Sequence, residues 1–336
     1  RLKLGSVASP AALLKLAIPV ETLDELVEGH QWAHEQPLRR SFLPISSDGR
    51  WRWYRLLNKG QYPLNFVREG PSRFPDQPLL LEWLATGAQL FHFAAVLGDP
   101  IGHSRSPMEH EVFFAERGMA MFPIRVTEAD WQAGALNSLH VLGMTHAAIT
   151  SPLKQLAFTD CQTHTEAATA TGAVNTLVWD RDHRTWCGHN TDVEGWQTSL
   201  HRHTDRLPIS GDFSSARIAV WGGGGTEKML KQTFPHARFY SSRTGEIKAT
   251  TAAPTDPHWQ PDILVWAVGR RRFQESKFWP PFHASTLPKL ILDLNYTADS
   301  PGLEYAVTHG IPYVSGLTFF KCQAELQRTF WRKFDY

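Results

Sequence analysis

Cysteine is scarce: Cys161, Cys187 and Cys322 are the only three in 336 residues, far apart and odd in number. Such spacing builds neither a disulfide framework nor a zinc site, and it points to a reducing cytoplasm. No apolar run approaches the roughly 18 residues that a membrane span needs, and no signal peptide is visible. An excess of charge of one sign is missing too: the net charge is +1, which argues against an electrostatic nucleic-acid binder. "GRRRF" (269–273) is the only compact basic run and reads as a solvated loop. Repeats and low-complexity tracts are absent. What remains is 42% hydrophobic, the composition of an ordinary soluble globular protein with room for two or three domains and ample core. The chain opens at Arg1 without a Met, as a part of a longer polypeptide would.

From about Phe93, short apolar runs alternate with helical periodicity. "FAAVL", "FPIRV", "HAAIT" and "TLVW" read as strands, with "PMEHEVFFAERG" and "TEADWQAGALNSLHVLG" as helices among them. The second helix opens with Thr127 and Asp130 in the spacing of a capping box. A second series runs through "ARIAVWGGGG", "RFYSSRT", "DILVWAVG", "KLILDLN" and "IPYVSG", continuous apolar strands as expected when helices cover both sheet faces. Alternating strands and helices imply βαβ units and mainly parallel sheets. The fold class is therefore α/β, in two units, and "LTFFKCQAELQRTFW" is a terminal helix that returns to the first. The first 90 residues differ. A strand and a helix open them, an aromatic loop-rich stretch from Ser46 follows, and "LLLEWLATGAQL" is a connecting helix.

Four stretches carry chemistry. In "GDPIGHSRSPMEHEVFF", Ser106 before Pro107 starts a helix as an N-cap. Ser104 and Ser106 also put two hydroxyls beside free helix amides, a corner that suits a small carboxylate. In "AITSPLKQ", Lys154 follows a strand end marked by Thr150, where open parallel sheets bind ligands. A lysine there is either a surface group or, partly desolvated, a proton shuttle. "GAVNTLVWD" and "GHNTDVEGW" place the amides of Asn175 and Asn190 and the carboxylate of Asp192 near strand ends. Asp192 reads either as a turn or cap residue or as the negative partner of an ammonium. In "IAVWGGGGTEKML", a strand runs into Gly222, Gly224 and Gly225 and then a helix, a context that suits a dinucleotide pyrophosphate. Lys228 stands where a third glycine of the fingerprint is expected. At the end of the next strand, Ser242, Arg243 and Thr244 replace the acidic residue of NAD enzymes, and a guanidinium with hydroxyls suits a 2′-phosphate. These residue types favour NADP.

Together these motifs resemble the shikimate dehydrogenase family. Its G-x-P-I-x-H-S-x-S-P-x-x-H pattern fits Gly98 to His110, its V-T-x-P-x-K is similar to "ITSPLK", and its G-A-V-N-T is identical to 172–176. Its G-x-N-T-D-x-x-G fits Gly188 to Gly195, and its G-x-G-G turn and N-R-T clamp are similar to "GGGG" and "SRT". The likeness covers about 93–336 with the motifs in order. It implies an NADP-dependent oxidoreductase of the shikimate pathway of aromatic amino acid biosynthesis, interconverting 3-dehydroshikimate and shikimate. Ser104 and Ser106 would bind the substrate carboxylate, and Thr150, Asn175, Tyr296 and Gln323 would orient the ring. Lys154 and Asp192 would bracket the reacting hydroxyl, with Lys154 relaying its proton, and Gly316 would lie by the nicotinamide amide. Three departures bear on the cofactor more than on the chemistry. Glu111 follows His110, "WAVG" with Trp266 replaces N-A-T-x-x-G, and Phe319 stands where a Met is common.

The first 90 residues are similar to part of type I 3-dehydroquinate dehydratase, with Lys15 of "LLKLAIP" at its Schiff-base position and "SRFPDQP" at its closing loop. Such a barrel needs about 200 residues or more, so this stretch reads as a barrel remnant, with Lys15 on a strand and its head turned into the partial barrel. The resemblance thus divides the chain into a partial barrel-like segment (1–92), a substrate-binding catalytic domain (93–195 with 317–336) and a Rossmann-like NADP-binding domain (196–316). The remainder of a dehydratase barrel, or a second copy of the chain, is the expected macromolecular partner. Two alternatives stay open: a relative oxidising quinate or another cyclic hydroxy acid, and a catalytically weak regulatory protein that binds such ligands.

Overall fold

The computed structural model describes residues 12–87, 90–102, 104–203, 215–248, 259–276 and 278–334. Residue 103, the first histidine of the two-serine motif, lies outside them. The chain forms two compact units, Arg1–His189 with Phe330–Tyr336, and Asn190–Thr329.

The first unit holds two sheets. Strands β1 (Leu14–Pro19) and β2 (Arg40–Ile45) pair in parallel through the helix Leu23–His34, whose N-terminus closes in a capping box of Thr22 and Glu25. The larger sheet contains β3 (Phe93–Gly98), β4 (Met121–Arg125), β5 (Met144–Ile149), β6 (Thr163–His164), β7 (Thr176–Asp180) and β8 (Thr185–His189), in the order β4-β3-β5-β7-β8-β6. This sheet is mainly parallel with one reversed strand: β7 runs antiparallel to both β5 and β8. The short loop 181–184 accounts for the β7–β8 pair, since a short connection can join only antiparallel neighbours. Every residue of β3 and β5 is buried. Along β3 the side chains alternate, with Phe93, Ala95 and Leu97 in one core and Ala94 and Val96 in the other.

The core under Phe93 also contains Leu26, Phe42, Trp51, Trp53 and Tyr54. Trp53 lies 5.5 Å from the Phe93 ring and 6.4 Å from that of Phe122. Ion pairing of Arg50 with Asp130 at 2.7 Å and a 2.8 Å bond from the Ser138 hydroxyl to Asp24 reinforce the contact. The N-terminal segment thus covers one face of the large sheet. Its aromatic stretch is less irregular than it reads, because Arg52–Leu57 forms a helix around the buried Trp53, Tyr54, Leu56 and Leu57. Lys15 does lie on a strand. Its side chain is exposed, however, with Nζ 5.0 Å over the Phe66 ring, because a two-stranded sheet encloses no interior.

Two expected helices are broken. "PMEHEVFF" becomes Ser106–Glu109 and Glu111–Ala115, with a break at His110. "TEADWQAGALNSLHV" becomes Glu128–Gln132, with the Thr127–Asp130 capping box in place, and Ala135–Val141, separated by Gly134 in a left-handed conformation. On the other face of the sheet, Trp331 is fully buried against Phe114 and His110 and donates its indole N–H to Leu177 O at 3.0 Å.

The second unit is a wholly parallel sheet in the order β10-β9-β11-β12-β13, made of β9 (Ile218–Gly222), β10 (Arg238–Tyr240), β11 (Ile263–Ala267), β12 (Leu290–Asp293) and β13 (Tyr313–Val314). Ile218, Val220, Ile263 and Val265 face one core, and Ala219, Trp221, Leu264 and Trp266 the other. "GRRRF" is not a loop: the helix Arg270–Ser276 contains its arginines, with Phe273 buried and Arg270 bonded to Asp299 O and Glu304. No helix among the described residues is long and apolar enough to cross a membrane.

Three histidines of the first unit are held neutral. Burial, then the neighbouring His34, lowers His30 to about 3. Burial, then Arg117, lowers His146 to about 3, and burial, then Lys333, lowers His189 to about 4. Folded values below the unfolded 6.5 mean that the unfolded chain binds more protons in acid. Their contribution to stability is complete above pH 6.5 and is lost as pH falls toward 3, at about 1.4 kcal/mol per histidine per pH unit. Melting curves between neutral pH and about pH 4.5 should show the midpoint falling with acid. His146→Gln should flatten that slope, and an unchanged slope would contradict the assignment.

Candidate functional site

In the first unit, backbone hydrogen bonds bring three loops to the carboxyl end of the parallel strands. Thr150 N donates to Leu97 O at 2.9 Å and Asp99 N to Ser151 O at 3.1 Å, so the loops after β3 and β5 run side by side. A Cβ on Gly98 would overlap the Thr150 side chain, which makes glycine necessary at that approach. Because β7 is antiparallel to β5, its beginning lies beside the end of β5. Ile149 N donates to Asn175 O at 2.8 Å, and Val174 N to Lys154 O at 2.9 Å. Thr150, Lys154 and Asn175 therefore gather at one corner. Lys154, half-buried, is the first residue of the helix Lys154–Asp160. Asn175 is buried, and its Oδ1 accepts from the Thr176 hydroxyl at 2.7 Å.

The two serines belong to the loop after β3. Ser106 is buried and Ser104 half-buried, with their hydroxyls 3.3 Å apart. Ser106 is not the expected N-cap: Arg105 holds that position, and no side chain caps the helix. The helix is only four residues long, and Ser106 is its first residue. His110, at the break after that helix, is fully buried, with its ring 5.0 Å from that of Trp331.

In the second unit, Asp192 is buried at the start of the helix Asp192–His203. Its N–H donates to Asn190 Oδ1 at 2.8 Å, so Asn190 caps the chain as it enters the helix. The Gln323 amide donates to its carboxylate. Gly195 makes that bond possible, since a Cβ there would stand 2.8 Å from Gln323 Cγ. Asp192 and Gln323 are thus a pair, which the separate motifs do not reveal.

Tyr296 follows β12 in a loop organised by Asp293. The Asp293 carboxylate is buried and accepts from Asn295 N at 2.8 Å, Asn295 Nδ2 at 2.7 Å, Tyr313 OH at 2.9 Å and the Ser300 hydroxyl. Burial raises its pKa, and these hydrogen bonds oppose the rise. Asn295 Nδ2 also donates to Val268 O at 3.1 Å, which ties this loop to the end of β11. Gly316 sits where a Cβ would overlap the Leu294 carbonyl, a packing demand of its own.

The glycine run after β9 is a turn that only glycine accepts readily, with φ of 90° at Gly222, 110° at Gly223 and 40° at Gly224. Open space lies on the side of Gly225 where a Cβ would project. After β10, Ser242 is half-buried and Arg243 and Thr244 are exposed, while Arg243 N and Thr244 N bond to Ser241 Oγ at 3.2 and 3.3 Å. Ser241 therefore shapes the turn that displays Arg243. Trp266 leaves this surface: its ring is fully buried, and its indole N–H is satisfied by Val268 O at 2.9 Å. Phe319 is likewise core, edge-on to Trp196 at 5.3 Å.

Residues that motif reading passed over are Ser241, Asp293, Asn295 and the acid–base trio Glu227, Lys231 and Lys248. Lys248 Nζ lies 2.8 Å from Gly222 O and 2.5 Å from Glu227 Oε2, and Lys231 Nζ lies 2.8 Å from Glu227 Oε1. Only the Glu227–Lys231 spacing of four is legible in a sequence.

A family model described as "Shikimate dehydrogenase substrate binding domain" matches residues 96–177. The chain is 37% identical over 259 residues to a protein of Chromohalobacter salexigens named shikimate dehydrogenase (NADP(+)), covering 71% of this chain and 92% of that one. Among solved structures, shikimate dehydrogenase from Aquifex aeolicus aligns with a TM-score of 0.58 at 19% identity, over 74% of this chain and 95% of that one. Shikimate 5-dehydrogenase from Thermus thermophilus, solved in complex with NADP(H) and shikimate, aligns with a TM-score of 0.56 at 22% identity, over 72% and 94%. The structural likenesses carry the fold, and the extent of the sequence match carries the descent: the chain belongs to the shikimate dehydrogenase family.

Proposed function

We propose that the protein catalyses the NADP-dependent, reversible reduction of 3-dehydroshikimate to shikimate. The convergence of the two-serine loop, Thr150, Lys154 and Asn175 at the carboxyl ends of β3 and β5 is the observation that supports it most. The hydroxyls of Ser104 and Ser106 are suited to donate to the substrate carboxylate, and Thr150, Asn175, Tyr296 and Gln323 to orient the ring. Lys154 delivers a proton to the carbonyl oxygen in reduction and removes it in oxidation. Asp192, fixed by the Asn190 cap and the Gln323 amide, holds that oxygen's proton in line.

The second unit fits NADP. Positive φ at three successive glycines lets a backbone approach a pyrophosphate closely, and Arg243 on an exposed turn suits a 2′-phosphate. When bound, NADP supplies or accepts the hydride at the ring carbon. Gly222, Gly224 and Gly225 would line the pyrophosphate, Ser242, Arg243 and Thr244 the 2′-phosphate, and Gly316 the nicotinamide amide. The three-part division at residues 92–93 and 195–196, with 317–336 returning to the catalytic domain, belongs to this same reading. The quinate-oxidising reading differs by one ring hydroxyl, and parallel assays with shikimate and quinate separate the two.

The segment 1–92 is proposed as a dehydratase-barrel remnant without catalysis of its own. A Schiff base needs a neutral amine in a closed pocket with an acid–base group, whereas Lys15 is exposed on a two-stranded sheet.

Three outcomes are expected. Lys154→Ala should lower kcat by roughly 10²–10⁴-fold with little change in substrate affinity, and Asp192→Asn should lower it less. Stopped-assay rates for 3-dehydroshikimate with NADPH measure both, and wild-type turnover in both variants would refute the reading. Arg243→Ala should weaken NADPH by about 1.5–3 kcal/mol and leave NADH nearly unaffected. Equal losses for the two cofactors would mark Arg243 as structural. Incubation with 3-dehydroquinate and borohydride should leave the mass of the protein unchanged, and an adduct at Lys15 would make the chain bifunctional.

A further inference from the structure

The glycine turn carries an anion of its own. Glu227 follows the turn directly, and a Cβ on Gly223 would come within 3.2 Å of its Cβ. Lys248 reaches the turn from the segment after β10, with Nζ 2.8 Å from Gly222 O and 2.5 Å from Glu227 Oε2. Lys231 takes the other carboxylate oxygen at 2.8 Å. Partial burial pushes the Glu227 pKa up, but hydrogen bonds from Lys231 and Lys248 outweigh it and hold it below the ordinary value. The group is therefore ionised at neutral pH. A carboxylate bound by two ammonium groups has the charge pattern of a bound phosphate, and it occupies the end of the turn to which a pyrophosphate would be delivered.

We propose that Glu227 is an internal competitor for the cofactor pyrophosphate, and that Lys248 leaves Glu227 for the pyrophosphate when a dinucleotide binds. This rests on the cofactor reading given above. The pyrophosphate is common to NAD and NADP, so the effect is the same for both. That separates it from Arg243, whose partner is the 2′-phosphate alone.

The test is calorimetric titration of the full chain with NADP+ and with NAD+. Glu227→Gln keeps the shape, removes the charge and releases both lysines. It should tighten both nucleotides by about fivefold to tenfold, the scale of one water-screened pair of unit charges about 4 Å apart. Glu227→Ser should give the same gain if charge is the cause. Adding Lys248→Gln to Glu227→Gln should abolish the gain. Unchanged or weaker binding in both Glu227 variants would overturn the proposal and make Glu227 a support of the turn. A gain for NADP+ alone would also overturn it, by moving the effect to the 2′-phosphate. Binding of neither nucleotide by the wild type or any variant would fail the cofactor reading itself, and this inference with it.

Discussion

Two backbone hydrogen bonds decide where the chemistry of the first unit meets: Ile149 N to Asn175 O and Val174 N to Lys154 O. They exist because β7 turns back antiparallel against β5. A parallel β7 in the same place would start at the opposite end of the strands and carry Asn175 away from Lys154 by the length of a strand. The side chains read as functional are short or half-buried, so their reach is limited and the backbone has to place them. The sheet achieves this by breaking its own parallel pattern at one strand.

The second unit relies on absent side chains and on one buried carboxylate. Gly195 lets the helix Leu317–Trp331 approach closely enough for Gln323 to bond Asp192. Asp293 gathers donors from Asn295, Ser300 and Tyr313, and so fixes the loop that bears Tyr296. A buried carboxylate is costly unless hydrogen-bonded, and four donors are what make this one tolerable. The loop's conformation therefore follows from the solvation needs of Asp293 rather than from the polar character of its own residues.

Much of the architecture was legible. Uninterrupted apolar runs such as "FAAVL" and "ILVW" mark strands covered on both faces, and they became β3 and β11. The motif residues could be named because a family resemblance supplies roles that residue types alone leave open. The illegible parts share a physical cause. Periodicity reports which residues are apolar, not where a helix breaks, so the interruptions at His110 and Gly134 stayed hidden. Partners distant in sequence, such as Lys248 with Glu227 and Gln323 with Asp192, are created by the fold and leave no mark in spacing. The N-terminal aromatics looked like loop because their helix is short and is stabilised by burial rather than by propensity.

That burial has a consequence for how the chain can change over time. Trp53 rests on Phe93 and Phe122, and Phe42, Trp51 and Tyr54 share one core with the large sheet. A likeness boundary marks descent, whereas a packing boundary marks where a polypeptide can be cut. Removing the first 92 residues would uncover the face of β3 and β4 that these aromatics now keep dry. The segment is therefore entrenched: its packing is by itself a reason for its retention, and that reason attaches to Trp53 rather than to Lys15 on the exposed face of β1.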